Sequence, residues 1–505
     1  MTGRSAPALL RRPLLWIQLA WIAMLLGFAV GIPIYQAPDE VLHIDRVLAA
    51  GRDSGFGEFD ERSLSPELTA TYDAGFRHRN APYGAMEAPG GERWNLDALE
   101  SYEGNQAPNQ LAQHPPAYYA LTGAVRTAIV SMLPDDTWDF DREVLLLRLL
   151  NVAMVAPLPW LCARTARTLG MGVGSATLAS LVPLCIPQLA HIGASVNNDN
   201  LLLLTSSVTV AAAAEVLSSR LTWGRTLVIG TSVMLALWTK APAIALVPLV
   251  VVVAVQDLRR RRSDWPMVAA LGGFLVAGSL YYVRSLLLHG DPVAGRDMGL
   301  PSRTTAFQPV DFTLTAMDNF SQSFWGKFGW LWVDLPGTWV HLLSVGLVAC
   351  VVVAAWRRPI RGVATLLVVP ATAAVLIFGQ ALRGHLATGL HPAQQGRYMF
   401  FTLVPVAVAL ASVLGRLGHE RLVRVSLGSL VVVNFSLAVW VVGRGMWQGP
   451  GVPTRLDALS SWNALGPAGS WVVVACILAV PGALVAGELL GFSRRERAGV
   501  LSTVP

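Results

Sequence analysis

The sequence predicts an all-α, multi-spanning membrane protein with about twelve helices crossing the bilayer, each requiring roughly 20 apolar residues. Three observations carry that prediction. Of 505 residues, 53% are hydrophobic and only 14% are charged, against about a quarter charged in soluble domains. Apolar runs close to bilayer length recur along the chain. The basic residues lie mostly in short clusters between those runs, the pattern that orients membrane helices and not one that grips nucleic acid.

Taken in order, the first run (14–35) follows Arg4, Arg11 and Arg12. It is too long for a signal-peptide core and lacks a small-residue cleavage site, so it reads as a retained helix with a cytoplasmic N-terminus. Further spans are expected at 144–163, 173–192, 199–218, 266–288, 338–356, 362–380, 399–416, 425–443 and 469–489. Two stretches are ambiguous: 116–133, opened by His114-Pro115-Pro116, and 226–256, with Thr239-Lys240 in its middle. Charge bookkeeping separates the options. If 116–133 lies along the membrane and 226–256 crosses twice around an outer tip at Lys240, six clusters become cytoplasmic. These are Arg164/Arg167, Arg220/Arg225, Arg259 to Arg262, Arg357/Arg358/Arg361, Arg416/Arg421/Arg424 and Arg494/Arg495/Arg497. The acidic segment PDDTWDFDRE (134–143) then falls outside. The rival path makes 116–133 a crossing and 226–256 one long helix. It exports the Arg164 and Arg220 clusters and imports the acidic loop.

On the preferred path both termini are cytoplasmic, and the large loops 36–143, 289–337, 381–398 and 444–468 are extracytoplasmic. The chain divides into a membrane module with its first loop (1–288), an amphipathic loop (289–337) and C-terminal helices (338–505). Cys162, Cys185, Cys350 and Cys476 all fall in apolar runs, which suits buried small hydrophobes better than a disulfide framework. Every basic residue is arginine except Lys240 and Lys327.

The outer face gathers the polar chemistry. QAPDEVLHIDR (36–46) sets Asp39 and Glu40 directly after the first span. As a helix from Asp39 to Ala50, it brings Asp39, His43 and Arg46 within about 60° of one another, with Val41, Ile44 and Leu48 opposite. Such a helix suits the membrane surface, one face lining an aqueous pocket. Pro38 favours a helix start, and the two acids favour its dipole end. Capping alone explains one carboxylate but not the histidine and arginine beside it.

His114 precedes paired prolines and Tyr118-Tyr119 at the head of an expected second juxtamembrane helix. SVNNDN puts Asn198 and Asp199 at the outer end of a span, and YYVRSLLLHGDP puts Arg284 near another. HPAQQGRYMF puts Arg397 and Tyr398 at a helix start. Each has a plain alternative: a cap, a snorkelling charge or a headgroup contact. Together they favour a site. In NFSQSFWGKFGWLWVDLPGTW, Phe320, Phe324, Phe328 and Leu331 recur at helical spacing, which suits an interfacial helix.

Glycosyl transfer from a polyprenyl-phosphate sugar fits these needs. The donor's tail stays in the bilayer while its head reaches the outer surface. One carboxylate, Asp39 or Glu40, takes the acceptor's proton. The phosphate leaves as an anion, so cations replace the second carboxyl of a glycosidase. Arg397, Lys240, Arg284 and His114 are the candidates, with His43, Arg46, Tyr118, Asn198, Asp199 and Tyr398 lining the substrate. Charges beside hydrocarbon are costly and mark function.

The arrangement resembles the GT-C superfamily of multi-spanning glycosyltransferases. Those enzymes carry an acidic pair after the first helix, two juxtamembrane helices in that loop, and a further acid in the next outer loop, here Asp39-Glu40 and Asp199. APDEVLH, HPPAYY, NND, LWTKAP, LHGDP, FWGKFGW and QGRY resemble an uncharacterised bacterial domain-of-unknown-function family of membrane proteins placed near GT-C, from about Trp16 to Ala411. The resemblance implies Asp39 as base and Glu40 as a supporting acid. Aminoarabinose transferases often carry a phosphate-contacting lysine before the paired prolines. His114 stands there instead, so a phosphate role depends on its protonation.

The implied partners are a polyprenyl-phosphate sugar, an extracytoplasmic glycan, lipid or protein acceptor, and membrane lipids. No cofactor is required, although Asp39, Glu40 and Asp199 are ligands that a divalent cation accepts. The competing readings are a transporter or flippase of a lipid-linked glycan, or a polymerase or ligase of one. A transporter more often shows mid-helix charges and paired halves; this chain keeps most of its charge at the helix ends and shows no such halves.

Overall fold

The computed structural model describes residues 13–51, 63–72, 108–134, 138–293, 306–356, 362–447 and 454–491. Arg4, Arg11 and Arg12, the cluster Arg357/Arg358/Arg361, and Arg494/Arg495/Arg497 lie outside the described residues.

The first apolar run forms α1 (Pro13–Gly31), followed by α2 (Glu40–Gly51), α3 (Pro66–Thr71) and α4 (Ala117–Val130). α5 (Phe140–Val155) continues through Pro157 into α6 (Leu158–Thr168). α7 (Val173–Leu181) and α8 (Pro187–Gly193) form one path bent by 71°, because Pro183 and Pro187 remove ladder donors there. Next come α9 (Asp199–Ser218), α10 (Trp223–Leu237), α11 (Val247–Arg260) and α12 (Trp265–His289). α13 (Pro309–Trp325) leads into a hairpin of β1 (Lys327–Phe328) and β2 (Val333–Asp334). The chain finishes with α14 (Gly337–Trp356), α15 (Val363–Leu366), α16 (Val368–Thr388), α17 (Leu403–Leu414), α18 (Glu420–Met446), α19 (Arg455–Trp462) and α20 (Pro467–Gly491).

Ten helical runs among the described residues are long and apolar enough to cross a membrane, and the bent α7–α8 path makes eleven. α10 is apolar but only 15 residues long. With it the path reaches the expected twelve. The 226–256 stretch is two helices, as expected, broken at an extended Lys240 and a 3-10 turn over Ala241–Leu246. α4 is not among the apolar spans. It packs on α2 and is tied at its start by Ala117 N donating to Trp238 O at 2.9 Å.

Burial places the centre. The α9 window is 72% buried, whereas those of α12 and α14 are each 11% buried. α9 is therefore the axis, and α12 and α14 face lipid. In lipid the apolar effect does not pull helices together, so close backbone approach does. α1 and α20 meet this way. A Cβ added at Gly27 would stand 3.3 Å from Cys476 Cβ, and one at Gly487 would stand 2.9 Å from Trp16 Cβ. The four cysteines are free.

Three expectations are corrected. Asp39 is not in the α2 helix: its φ is +62°, and the helix starts at Glu40. α2 also has no lipid or water face, since His43 and Arg46 are buried together with Val41, Ile44 and Leu48. α4 and the 3-10 turn Gln110–Gln113 cover the side that amphipathicity left polar. The Phe320–Leu331 periodicity also fails as one helix. α13 stops at Trp325, and Phe328 turns inward on the hairpin to stack on Phe28 at 5.8 Å.

Candidate functional site

Crossings alternate in direction. The C-terminal ends of α1, α8 and α10 and the N-terminal ends of α9 and the Gly396–Thr402 turn therefore share one end of the bundle. That end holds three acid–base pairs. Arg397 Nη2 donates to Asp39 Oδ2 at 2.9 Å across 358 residues of sequence. Lys240 Nζ lies 2.6 Å from Asp199 Oδ1. Arg148 grips both oxygens of Glu40, at 2.8 and 2.7 Å. Tyr398 joins the first two pairs, with Lys240 Nζ 5.0 Å and the Arg397 guanidinium 5.3 Å from its ring centre, within cation–π reach.

The two adjacent acids occupy different surroundings. Glu40 is fully buried, and its oxygens also accept from Tyr35 N at 3.0 Å and Val196 N at 3.2 Å. The Asp39 side chain stays 22% exposed, which leaves it the accessible carboxylate. Its left-handed backbone is tolerated by Asp better than by most residues and turns the carboxylate away from α2 toward Arg397. Unfilled valences surround these pairs. Arg397 Nη1, Asp199 Oδ2 and Asn198 Oδ1 are buried without a hydrogen-bond partner. Buried polar groups are rarely left so unless a ligand or water completes them.

Both histidines here are held below the usual range. Burial lowers the His43 pKa most, helped by Lys240, His114, Arg397 and Arg46. Burial lowers His114 likewise, helped by Lys240 and Arg46. His43 Nδ1 shares a 3.0 Å hydrogen bond with the Tyr119 hydroxyl. Arg46 lies 4.1 Å from the centre of that same ring and donates to Leu111 O at 2.6 Å and His114 O at 2.9 Å. The Tyr118 hydroxyl donates to Asn151 Oδ1 at 3.1 Å.

The structure thus brings together Asp39, Glu40, Asp199, Lys240, Arg397 and Tyr398, with Asn198 adjacent in the same turn. His43, Arg46, His114 and Tyr118 form the packed wall beside them. Arg284 is exposed on α12 and joins none of the three pairs. Sequence reasoning missed Arg148, although a lone charge between Val144 and Ala163 was a readable signal. It gave no role to Tyr119, or to Gln395, whose Oε1 accepts from Arg397 Nε at 2.5 Å. Among the described residues no group of three or more His, Cys, Asp or Glu could hold a metal ion. Each of the three carboxylates faces its own cation instead.

Fold and site together define a multi-spanning α-helical membrane protein whose acid–base constellation is assembled from distant turns at one end of the bundle. The chain belongs to the family described as predicted membrane protein DUF2142, whose profile matches residues 22–410. No curated protein matches it. Among solved structures the chain is similar to ArnT from Cupriavidus metallidurans bound to undecaprenyl phosphate, at 13% identity and a TM-score of 0.44, covering 96% of this chain and 78% of that one. It is similar also to the apo state of the same protein, at 12% identity and a TM-score of 0.45, covering 94% and 76%.

Proposed function

We propose that this protein is a GT-C-type glycosyltransferase that moves a sugar from a polyprenyl-phosphate donor to an acceptor on the extracytoplasmic face. The observation that carries the proposal is the Asp39–Arg397 pair: a part-exposed carboxylate beside a buried guanidinium whose Nη1 has no partner. Asp39 takes the proton of an acceptor hydroxyl as its oxygen bonds to the anomeric carbon. The bond from that carbon to the phosphate oxygen breaks, and its electron pair leaves on the phosphate. Inversion follows from attack opposite the leaving group. Arg397 and Lys240, both close to the Tyr398 ring, stabilise the departing polyprenyl phosphate. Arginine suits this role through its fork of donors. Asn198 Oδ1 and Asp199 Oδ2 accept from sugar hydroxyls. His43 and His114, uncharged near neutrality, act as packed walls or hydrogen-bond partners for the head and leave the phosphate to the cations.

The test is to reconstitute the protein and offer a panel of polyprenyl-phosphate sugars with cell-envelope glycans, lipids and proteins as acceptors. The expected result is release of free polyprenyl phosphate with label moved to an acceptor. EDTA is expected to leave the rate unchanged, because each carboxylate already has a cation. Arg397→Gln is expected to raise the donor KM and lower kcat together. Intact donor carried across the bilayer without bond cleavage would establish a flippase instead.

A further inference from the structure

We infer that Arg148 is the positioning residue of this site and that Glu40 is its relay: the pair fixes the turn that presents Asp39. The inference rests on the transferase reading and deepens it. A guanidinium has five N–H donors, and Arg148 uses all of them. Nε and Nη2 hold Glu40 at 2.8 and 2.7 Å. Nη1 donates to Ala29 O at 3.0 Å and Ile32 O at 2.6 Å, and Nη2 to Pro33 O at 3.0 Å. Ala29 O lies in the last turn of α1 and Ile32 O and Pro33 O just past it, where the intrahelical ladder runs out; Pro33 O also accepts from Gln36 N at 3.2 Å. No donor remains for a phosphate, and Arg148 is only 3% exposed. It acts through its neighbours and not on substrate.

What it holds is strained. Between α1 and α2 the backbone passes through two left-handed non-glycine residues, Tyr35 at φ +64° and Asp39 at φ +62°. Such residues persist only where the surroundings over-determine them. Arg148 fixes the start of that turn, and Glu40 fixes its middle through Tyr35 N and its end through its own place beside Asp39. Glu40 also accepts from Val196 N, which ties the Asp39 turn to the turn carrying Asn198 and Asp199. One turn further along α5, on the same face, Asn151 Oδ1 accepts from Tyr118 and from Asn200 Nδ2 at 2.9 Å. One face of α5 therefore sets both acidic turns through the residues next to Asp39 and Asp199. A misplacement of about 1 Å costs about 100-fold in rate.

The experiment compares wild type, Arg148→Lys, Glu40→Gln and the double variant in nanodiscs, measuring kcat, donor KM and thermal stability. Lysine keeps the charge but has too few donors for the carbonyls. The expected result is a kcat lower by about 100-fold with donor KM within about twofold, and a double variant no slower than the worse single one. A folded Arg148→Lys with wild-type kcat overturns the inference, as does a raised donor KM at unchanged kcat. If Arg148→Lys does not fold, Asn151→Ser is read by the same split of kcat against KM. A second readout is independent of activity: the labelling rate of Asp39→Cys by an impermeant thiol reagent, with and without Arg148→Lys. A changed rate in a protein whose wild type transfers nothing supports the positioning and sinks the transferase. An unchanged rate sinks the positioning.

Discussion

At the scale of single residues, the two acids of the opening doublet share a sequence neighbourhood and little else. Glu40 is sealed by four hydrogen bonds from Arg148, Tyr35 and Val196, while Asp39 keeps access to solvent. Removing one partner of a sealed pair strands a buried charge, at a cost of about 3–5 kcal/mol. Nothing in the string DE distinguishes them, because the distinction is made by a backbone reversal and an arginine 108 residues away. Arg397 and Lys240 were legible for a simpler reason: charges beside hydrocarbon are expensive and need a use; Arg148 was open to the same reasoning and was passed over. The histidines yield a pH prediction. His43 and His114 are held below the usual histidine value of about 6.5. Above that value both are neutral folded or unfolded and contribute nothing. As pH falls below it, the unfolded chain binds protons that the folded chain refuses, so stability is lost toward the folded pKa. Thermal unfolding in detergent is expected to show a falling melting temperature from pH 7 to 5, with the slope reduced in His43→Asn. A flat profile would contradict the neutral, buried assignment.

At the scale of elements, periodicity found the helices and mislaid the pieces that a second element covers. The polar side of α2 looked like a water face, but α4 lies across it: His43 bonds to Tyr119 of α4, and Arg46 stands over that ring and donates to Leu111 O and His114 O in the segment before it. The FWGKFGW stretch had helical spacing of aromatics, yet Gly326 and the left-handed Gly329 and Leu331 turn it into a hairpin. A chain of local preferences cannot report where its neighbours will be. The α1–α20 contact is an element-scale claim with its own test. Gly27 has Cys476 Cβ 3.3 Å from where its own Cβ would stand, so Gly27→Leu forces the helices apart. Overpacking of this kind costs about 1–3 kcal/mol, and thermal unfolding of the purified variant is expected to drop accordingly. An unchanged midpoint would mean the two helices do not pack as described.

At the scale of the whole molecule, the path through the membrane was the most legible feature. Charge asymmetry between loops separated the two twelve-crossing paths, and the break at Lys240 matches the choice. What the charge pattern could not supply was the 71° bend in α7–α8 or the burial of α9, since both depend on which helices meet. The same path explains the site. Asp39, Glu40, Asp199, Lys240 and Arg397 all sit at or next to helix ends at one end of the bundle, and Arg148 reaches them from within α5. The account stands on Asp39, and the decisive measurement is the single-turnover release of polyprenyl phosphate by Asp39→Asn beside wild type, with donor binding measured on the same samples. We expect donor binding to persist and release to slow by about 100- to 10,000-fold, the contribution of a positioned base. Release at the wild-type rate by Asp39→Asn would contradict the account.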